Sequence, residues 1–277
     1  MLRSLKQVRT ALSLLNPEEV QKRAERPVAI GLVATTDRAY ADIEEFLAPA
    51  SGDRTGLYRA TDDKNPPYLD LVVYEAGIPC PRGAFLYDRH DPDAAVHDIL
   101  HAHEDLALPL ARHFLAFRHT VVERIVHAVS RENALFAVAT ALPNVVPNLF
   151  ELPWAIGEFA SDTAFLTMNQ IRMAFLIAAA CGGEVGFVHQ KGAVLSIAGG
   201  AFGWRAIARE LAGKIPLGGG LIPKGAIAYA GTYVAGKCLE RYHHANRYPS
   251  AAEREQAYQA ALERGKAVAE VAVKEVN

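Results

Sequence analysis

The feature that most constrains this chain is a set of long, nearly uncharged stretches in its second half. Residues 134–150 carry no charged side chain, 225–236 carry none, and 164–181 carry only Arg172. Stretches of this kind are buried, either in a helical bundle or in a membrane. Because spanning a bilayer takes roughly 20 apolar residues, and these stretches are shorter or are interrupted by proline or arginine, a bundle is favoured and membrane insertion stays open.

Helical periodicity continues from about residue 91 to the end, between breaks rich in proline and glycine. Small residues recur four apart in these helices, as in Gly199 with Gly203 and Gly231 with Ala235. This spacing lets two helix backbones approach closely, in membranes and in compact protein cores alike. The predicted helices cover residues 92–108, 118–142, 151–181, 188–212, 222–246 and 250–275.

The first third of the chain has a different pattern. PVAIGLVA (27–34) and YLDLVVYEA (68–76) are predicted buried strands, with a helix over 37–49 and turn-rich loops at 51–56 and 61–67 between them. Two apolar strands that flank a helix predict a parallel βαβ unit. The fold class is therefore α+β and predominantly α. The predicted domains are the amphipathic helices of 1–26, a small α/β segment over 27–90, and a glycine-rich, apolar helical bundle over 91–277.

Charge and cysteine usage exclude several classes of protein. The formal net charge is −2, and no long basic or acidic block is present, which argues against nucleic acid as a partner. The N-terminal residues 2–15 show helical spacing with interleaved basic residues rather than the apolar core of a signal peptide. Three widely spaced cysteines suit a reducing compartment. We therefore expect a cytoplasmic protein that is not secreted.

A phosphate-binding loop is the first chemistry that the sequence suggests. Thr35 and Thr36 follow the first predicted strand, where such a loop would lie, and P-loop spacing counted from Gly31 would require glycine, lysine and a hydroxyl at 36–38, where the chain has Thr-Asp-Arg. The segment GTYVAGKC (231–238) has P-loop spacing with cysteine at the magnesium position, inside a helical pattern. A capped strand–helix turn and a plain helix are favoured, and nucleotide binding is the alternative.

A second candidate site is the pair His97 and His101, which enclose Asp98 in an HDxxH pattern. Two histidines four apart on a helix can share a metal ion, and the acid between them can activate a water molecule. The helix places its apolar face on Val96 and Ile99, however, so both histidines are expected on the exposed side. Surface histidines are favoured over a zinc site.

Polar residues in the apolar helices form the third candidate site. Their spacing places several of them on one helix, so they either bond to one another inside the bundle or line a groove for a partner or a lipid headgroup. An internal network that fixes helix register is favoured over a docking groove. The residues concerned are Glu158, Asp162, Asn169, Gln170 and Arg172.

Residues of about 131–242 resemble the uncharacterised bacterial domain family 697 (DUF697). The resemblance is carried by RENALFAVATALPNVVP, TMNQIRMAFLIAAACG and ARELAGKIPLGGGLIPKGAIAYAGTYVAGK. Members of that family often stand beside a GTPase domain or occur in inner-membrane proteins. The resemblance implies that the segment 27–90 is a degenerate GTPase-like remnant, without the glycine, lysine and hydroxyl at 36–38.

These observations together predict a non-enzymatic helical protein that needs no cofactor. Its expected partners are a membrane surface, a membrane protein, a GTPase or further copies of itself, which allows a peripheral or integral place at the inner membrane. The alternatives are a degenerate GTPase-like nucleotide-binding regulator and, less favoured, a metal-dependent hydrolase built on His97 and His101.

Overall fold

The computed structural model describes residues 15–49, 54–60, 68–141, 162–198 and 220–276. Its strands are β1 (Ile30–Val33), β2 (Leu57–Arg59), β3 (Leu71–Glu75) and β4 (Phe85–Tyr87). Its helices are α1 (Pro17–Ala24), α2 (Asp37–Leu47), α3 (Pro92–Ala102), α4 (Ala107–His113), α5 (Leu115–Ala139), α6 (Asp162–Ala180), α7 (Lys191–Ala198), α8 (Leu221–Ala245) and α9 (Ala251–Val276). Over these residues the fold class is α+β and predominantly α, which confirms the prediction.

The chain divides into two compact units, which we call the sheet unit and the helical unit. The sheet unit comprises Glu19–Glu123 and Ala179–Glu184, and the helical unit comprises Met1–Glu18, Arg124–Ala178 and Val185–Asn277. The division therefore falls inside α5 and not near residue 90, where the sequence pattern changes. Helix α3 belongs to the sheet unit because it packs against β4.

All four strands run parallel, in the order β2-β1-β3-β4. Ile30 of β1 lies opposite Leu57 of β2 on one side and Leu71 of β3 on the other, and β4 pairs with the far side of β3. The predicted βαβ pattern is present, but β2 and β4 were not predicted, because a strand of three residues is too short to show alternation. In such a sheet the ligand crevice lies at the carboxyl ends of β1 and β3, where the strand order reverses.

The segment predicted as one helix over 92–108 is two helices in the structure. Helix α3 ends at Ala102, and the backbone of His103 (φ −126°, ψ 63°) leaves the helical region before α4 begins. Pro109, which the sequence suggested as a break, lies in the first turn of α4. Proline is tolerated there because the first amides of a helix have no partner within the helix.

In the helical unit, α8 and α9 form an antiparallel hairpin that packs through glycine and alanine. A Cβ atom on Gly265 would lie 2.9 Å from the carbonyl oxygen of Ala226. A Cβ atom on Gly225 would lie 2.8 Å from the Cβ atom of Ala269. Since real Cβ atoms do not approach other atoms so closely, each glycine is required by the close packing of the two helices.

The residues predicted for close packing are only partly within the described ranges. Gly231 and Ala235 are both buried in α8. Gly199, Gly203 and Glu158 lie outside the described residues, as does the predicted helix over 2–15 except for its last residue. Among the helices that the structure describes, none combines the length and the apolar character that crossing a membrane requires.

Candidate functional site

The predicted phosphate position at the end of β1 is occupied by the protein itself. The carboxylate of Glu75, the last residue of β3, accepts hydrogen bonds from the Thr35 amide (2.9 Å) and the Thr35 hydroxyl (2.7 Å). These two bonds lower the pKa of Glu75 below its usual value and keep the side chain ionised. A negative charge thus stands where a phosphate group would need the same donors.

The neighbouring residues of this edge also have structural roles. The Thr36 hydroxyl accepts a hydrogen bond from the Ala39 amide (3.1 Å), which caps the N-terminus of α2. Gly31 lies within β1, where an added Cβ atom would come within 2.6 Å of the Leu69 side chain. Its small size therefore serves packing in the sheet. These roles favour a capped strand–helix turn over a phosphate-binding loop at Gly31, Thr35 and Thr36.

His97 and His101 lie on the exposed side of α3. Both side chains, and that of Asp98 between them, are open to solvent, while Ile99 and Leu100 are buried. Within the part of the chain that the structure describes, no further cysteine, histidine or carboxylate completes a group of three ligands with this pair. A catalytic zinc ion takes three protein ligands, so this geometry does not favour the hydrolase alternative.

Three of the predicted polar residues lie together in a network at the centre of the helical unit. The Asn169 amide group donates to Asn133 Oδ1 (2.9 Å), and the Asn133 amide group donates to the Thr232 hydroxyl (2.8 Å). Gln170 donates to the same hydroxyl at a longer 3.4 Å. The side chains of all four residues are fully buried. Arg172 extends the network by pairing with Glu132.

Residues Glu132, Asn133 and Thr232 were missed in the sequence. Thr232 could have been found as an isolated polar residue within the apolar stretch of α8, whereas Glu132 and Asn133 follow two other polar residues and give no such signal. Asp162 begins α6, and its side chain lies outside the described residues, as Glu158 does. The members of the network bond mainly to each other, and these bonds join α5, α6 and α8 in one register.

His127 of α5 contacts both helices of the α8–α9 hairpin. Its Nε2 atom lies 3.1 Å from Arg264 Nη1, and its Nδ1 atom lies 2.7 Å from the Tyr229 hydroxyl. A guanidinium group can only donate, so Nε2 is the acceptor in the contact with Arg264. The ring therefore links α5 to both helices of the α8–α9 hairpin.

A cleft of about 410 Å³ opens between α8 and α9 near the turn that joins them. Part of its lining is apolar or weakly polar, and part consists of ionisable side chains. The first group consists of Tyr233, Val234, Cys238, Pro249, Ala257 and Ala260, and the second consists of Lys237, Glu240, Arg241, His244, Glu253 and Arg254. Pockets of this size, apolar with a few placed polar groups, are typical of small-molecule sites.

The two carboxylates of this cleft are engaged by neighbours in the same hairpin. Glu240 forms an ion pair with Lys237, three residues earlier on α8. Glu253 accepts from the Ser250 amide (2.7 Å), and Ser250 Oγ accepts from the Glu253 amide (3.3 Å), which makes a capping box at the start of α9. Those bonds lower the pKa of Glu253, so the carboxylate stays ionised.

Cys238 lies in the wall of the cleft but is poorly suited to act as a nucleophile. Burial raises the pKa of its thiol to about 11, so the reactive thiolate is scarce at neutral pH. The surrounding segment GTYVAGKC is part of the continuous helix α8, where the backbone amides bond within the helix. The P-loop spacing of Gly231, Gly236 and Lys237 therefore does not create a phosphate loop.

Comparison with known proteins adds no assignment. No family model matches this chain, and neither a curated protein nor a solved structure does. The resemblance of residues 131–242 to domain family 697 therefore stays a prediction.

Proposed function

We propose that this chain is a non-enzymatic binding protein whose helical unit holds its ligand in the cleft between α8 and α9. The observation that carries the proposal is the cleft itself, which combines about 410 Å³ of space with apolar and charged walls. The other predicted sites support it less well. Glu75 fills the end of β1, and the buried polar residues bond to one another.

The absence of a suitable nucleophile in this cleft supports a binding role over catalysis. Nucleophilic catalysis needs an activated group beside a base, and the Cys238 thiol has a raised pKa that leaves it protonated. The carboxylates of Glu240 and Glu253 are each tied to a cation. These groups can recognise and orient a ligand without reacting with it. A membrane surface or a partner protein is then the proposed source or destination of that ligand.

The test compares the wild-type chain with two alanine-to-tryptophan variants of α9. Ala257→Trp places a large ring in the cleft, while Ala252→Trp adds the same ring at an exposed position that does not line it. Each protein is purified from the source organism and extracted with organic solvent, and the extract is analysed by mass spectrometry. We expect a compound that accompanies the wild type and Ala252→Trp but is lost from Ala257→Trp. Identical extracts from three equally folded proteins would refute the proposal.

A further inference from the structure

We infer that the cleft between α8 and α9 recognises an oxyanion, a carboxylate or a phosphate ester, carried on a compact apolar body. This inference deepens the proposed function, on which it rests, by naming the chemistry of the ligand. Three arguments lead to it: the balance of charge in the walls, a partly exposed guanidinium group, and the apolar part of the lining.

The charge balance of the walls favours an anion. Three permanent cations line the cleft, Lys237, Arg241 and Arg254, against two carboxylates. The lysine and arginine side chains of the lining therefore outnumber its carboxylates by one. Low-dielectric walls strengthen the attraction between such an excess and a bound anion relative to bulk water.

Arg241 provides the specific donor. Its Nη2 atom lies 3.4 Å from Glu253, and its side chain lines the cleft with 42% of its surface exposed. A guanidinium group forms its strongest hydrogen bonds with anionic oxygens. An arginine that is already oriented by a carboxylate on one edge can bind a second oxyanion with its remaining donors.

The rest of the lining determines what carries the oxyanion. Val234, Cys238 and Ala257 contribute apolar surface, and the Cys238 side chain is held as an uncharged thiol by burial. A strongly hydrated anion such as free sulfate would leave this surface uncovered. A short alkyl or aryl chain would cover it and gain about 25 cal/mol for each Å² of apolar surface that leaves water.

The experiment uses four ligands that share an eight-carbon chain and differ in the head group. Octanoate, octyl phosphate, octanol and octyltrimethylammonium are titrated into the full-length protein by isothermal titration calorimetry, below their micelle-forming concentrations. We expect both anions to bind at least about tenfold more tightly than octanol, because a charged hydrogen bond contributes that much. The cation is expected not to bind. Octanol that binds as tightly as octanoate would overturn the oxyanion assignment while leaving a binding cleft in place.

Two arginine variants locate the interaction. Arg241 and Arg247 both pair with Glu253, at 3.4 and 3.9 Å, but only Arg241 lines the cleft. Arg241→Gln should weaken octanoate binding by about tenfold or more, and Arg247→Gln should leave it within about twofold. Equal melting temperatures of the two variants would show that folding is not the cause. Equal effects on binding would contradict a site at Arg241.

A last arm distinguishes a free ligand from a lipid headgroup. The protein is sedimented with vesicles of phosphatidylglycerol and, separately, of phosphatidylcholine. Binding to the anionic vesicles that is lost in Arg241→Gln supports a lipid headgroup as the oxyanion, and binding of octanoate without vesicle binding supports a free compound. Binding of neither octanoate nor octyl phosphate nor anionic vesicles would refute the inference.

Discussion

Replacing Thr232 by valine tests whether the buried polar residues of the helical unit have a structural role. Valine keeps the size and the β-branched shape of threonine, so helix propensity and packing change little. The substitution removes the hydroxyl that accepts from Asn133 at 2.8 Å and from Gln170 at 3.4 Å. Both donors are fully buried. A buried donor that loses its acceptor costs about 1–3 kcal/mol.

We therefore expect Thr232→Val to lower the free energy of unfolding by about 2 kcal/mol, dominated by the shorter of the two bonds. The matched control is Thr140→Val. The Thr140 hydroxyl donates to the carbonyl four residues earlier, at Phe136, as that of Thr232 does to Ala228. Thr140 is exposed, however, and a loss of less than about 0.5 kcal/mol is expected for it.

The measurement is urea unfolding followed by far-UV circular dichroism, with hydrogen exchange to show that the loss occurs in the helical unit. A double-mutant cycle with Asn133→Leu should give a coupling energy above about 0.5 kcal/mol, because the two residues share a hydrogen bond. If Thr232→Val and Thr140→Val have equal stability, the network does not hold the helices.

Three further predictions concern packing and ionisation. Gly265→Ala should be less stable than Gly192→Ala by about 1–3 kcal/mol in urea unfolding, because the methyl group added at residue 265 meets the backbone of α8 and the one added at residue 192 does not. Equal stability of the two variants would contradict the close packing of α8 and α9. A lowered pKa means that the folded state favours ionised Glu75, so its contribution to stability is present above pH 4.5 and lost as the pH falls through its folded pKa. The difference in melting temperature between the wild type and Glu75→Gln should therefore narrow below pH 4.5, and a difference independent of pH would argue against the bonds to Thr35. Burial raises the pKa of Tyr258 to about 12, and among the described residues its hydroxyl has no hydrogen-bond partner, so Tyr258→Phe should raise stability by up to about 1 kcal/mol. The gain should grow between pH 10 and 12, because Tyr258 of the wild type ionises in the unfolded state but not in the folded state over this range. A loss of stability in Tyr258→Phe at neutral pH would show that the hydroxyl has a hydrogen-bond partner.

The contrast between the two units bears on how the protein works. At the end of β1, a carboxylate of the sheet unit occupies the donors that a nucleotide would need. In the helical unit, the hairpin of α8 and α9 leaves open space with donors in its wall. We therefore place the binding role in the helical unit, and the titrations described above decide it.

The sequence by itself determined the fold class and most of the long helices. Apolar periodicity depends only on neighbours along the chain, so α5, α8 and α9 were predicted to within about three residues of their observed ends. The same periodicity placed His97 and His101 on the exposed side of α3. Strands of three residues carry too little of this signal, and β2 and β4 were missed for that reason.

Only the tertiary structure decided which polar groups bond to each other and where space remains. Thr35 and Glu75 are 40 residues apart in sequence, and Asn133 and Thr232 are 99 apart, yet each pair is joined by a hydrogen bond. The cleft likewise exists because the α8–α9 turn brings side chains of two helices to face one another. Local sequence pattern reports which face of a helix is apolar. The partner of a buried donor depends on packing between distant segments, which no local pattern contains.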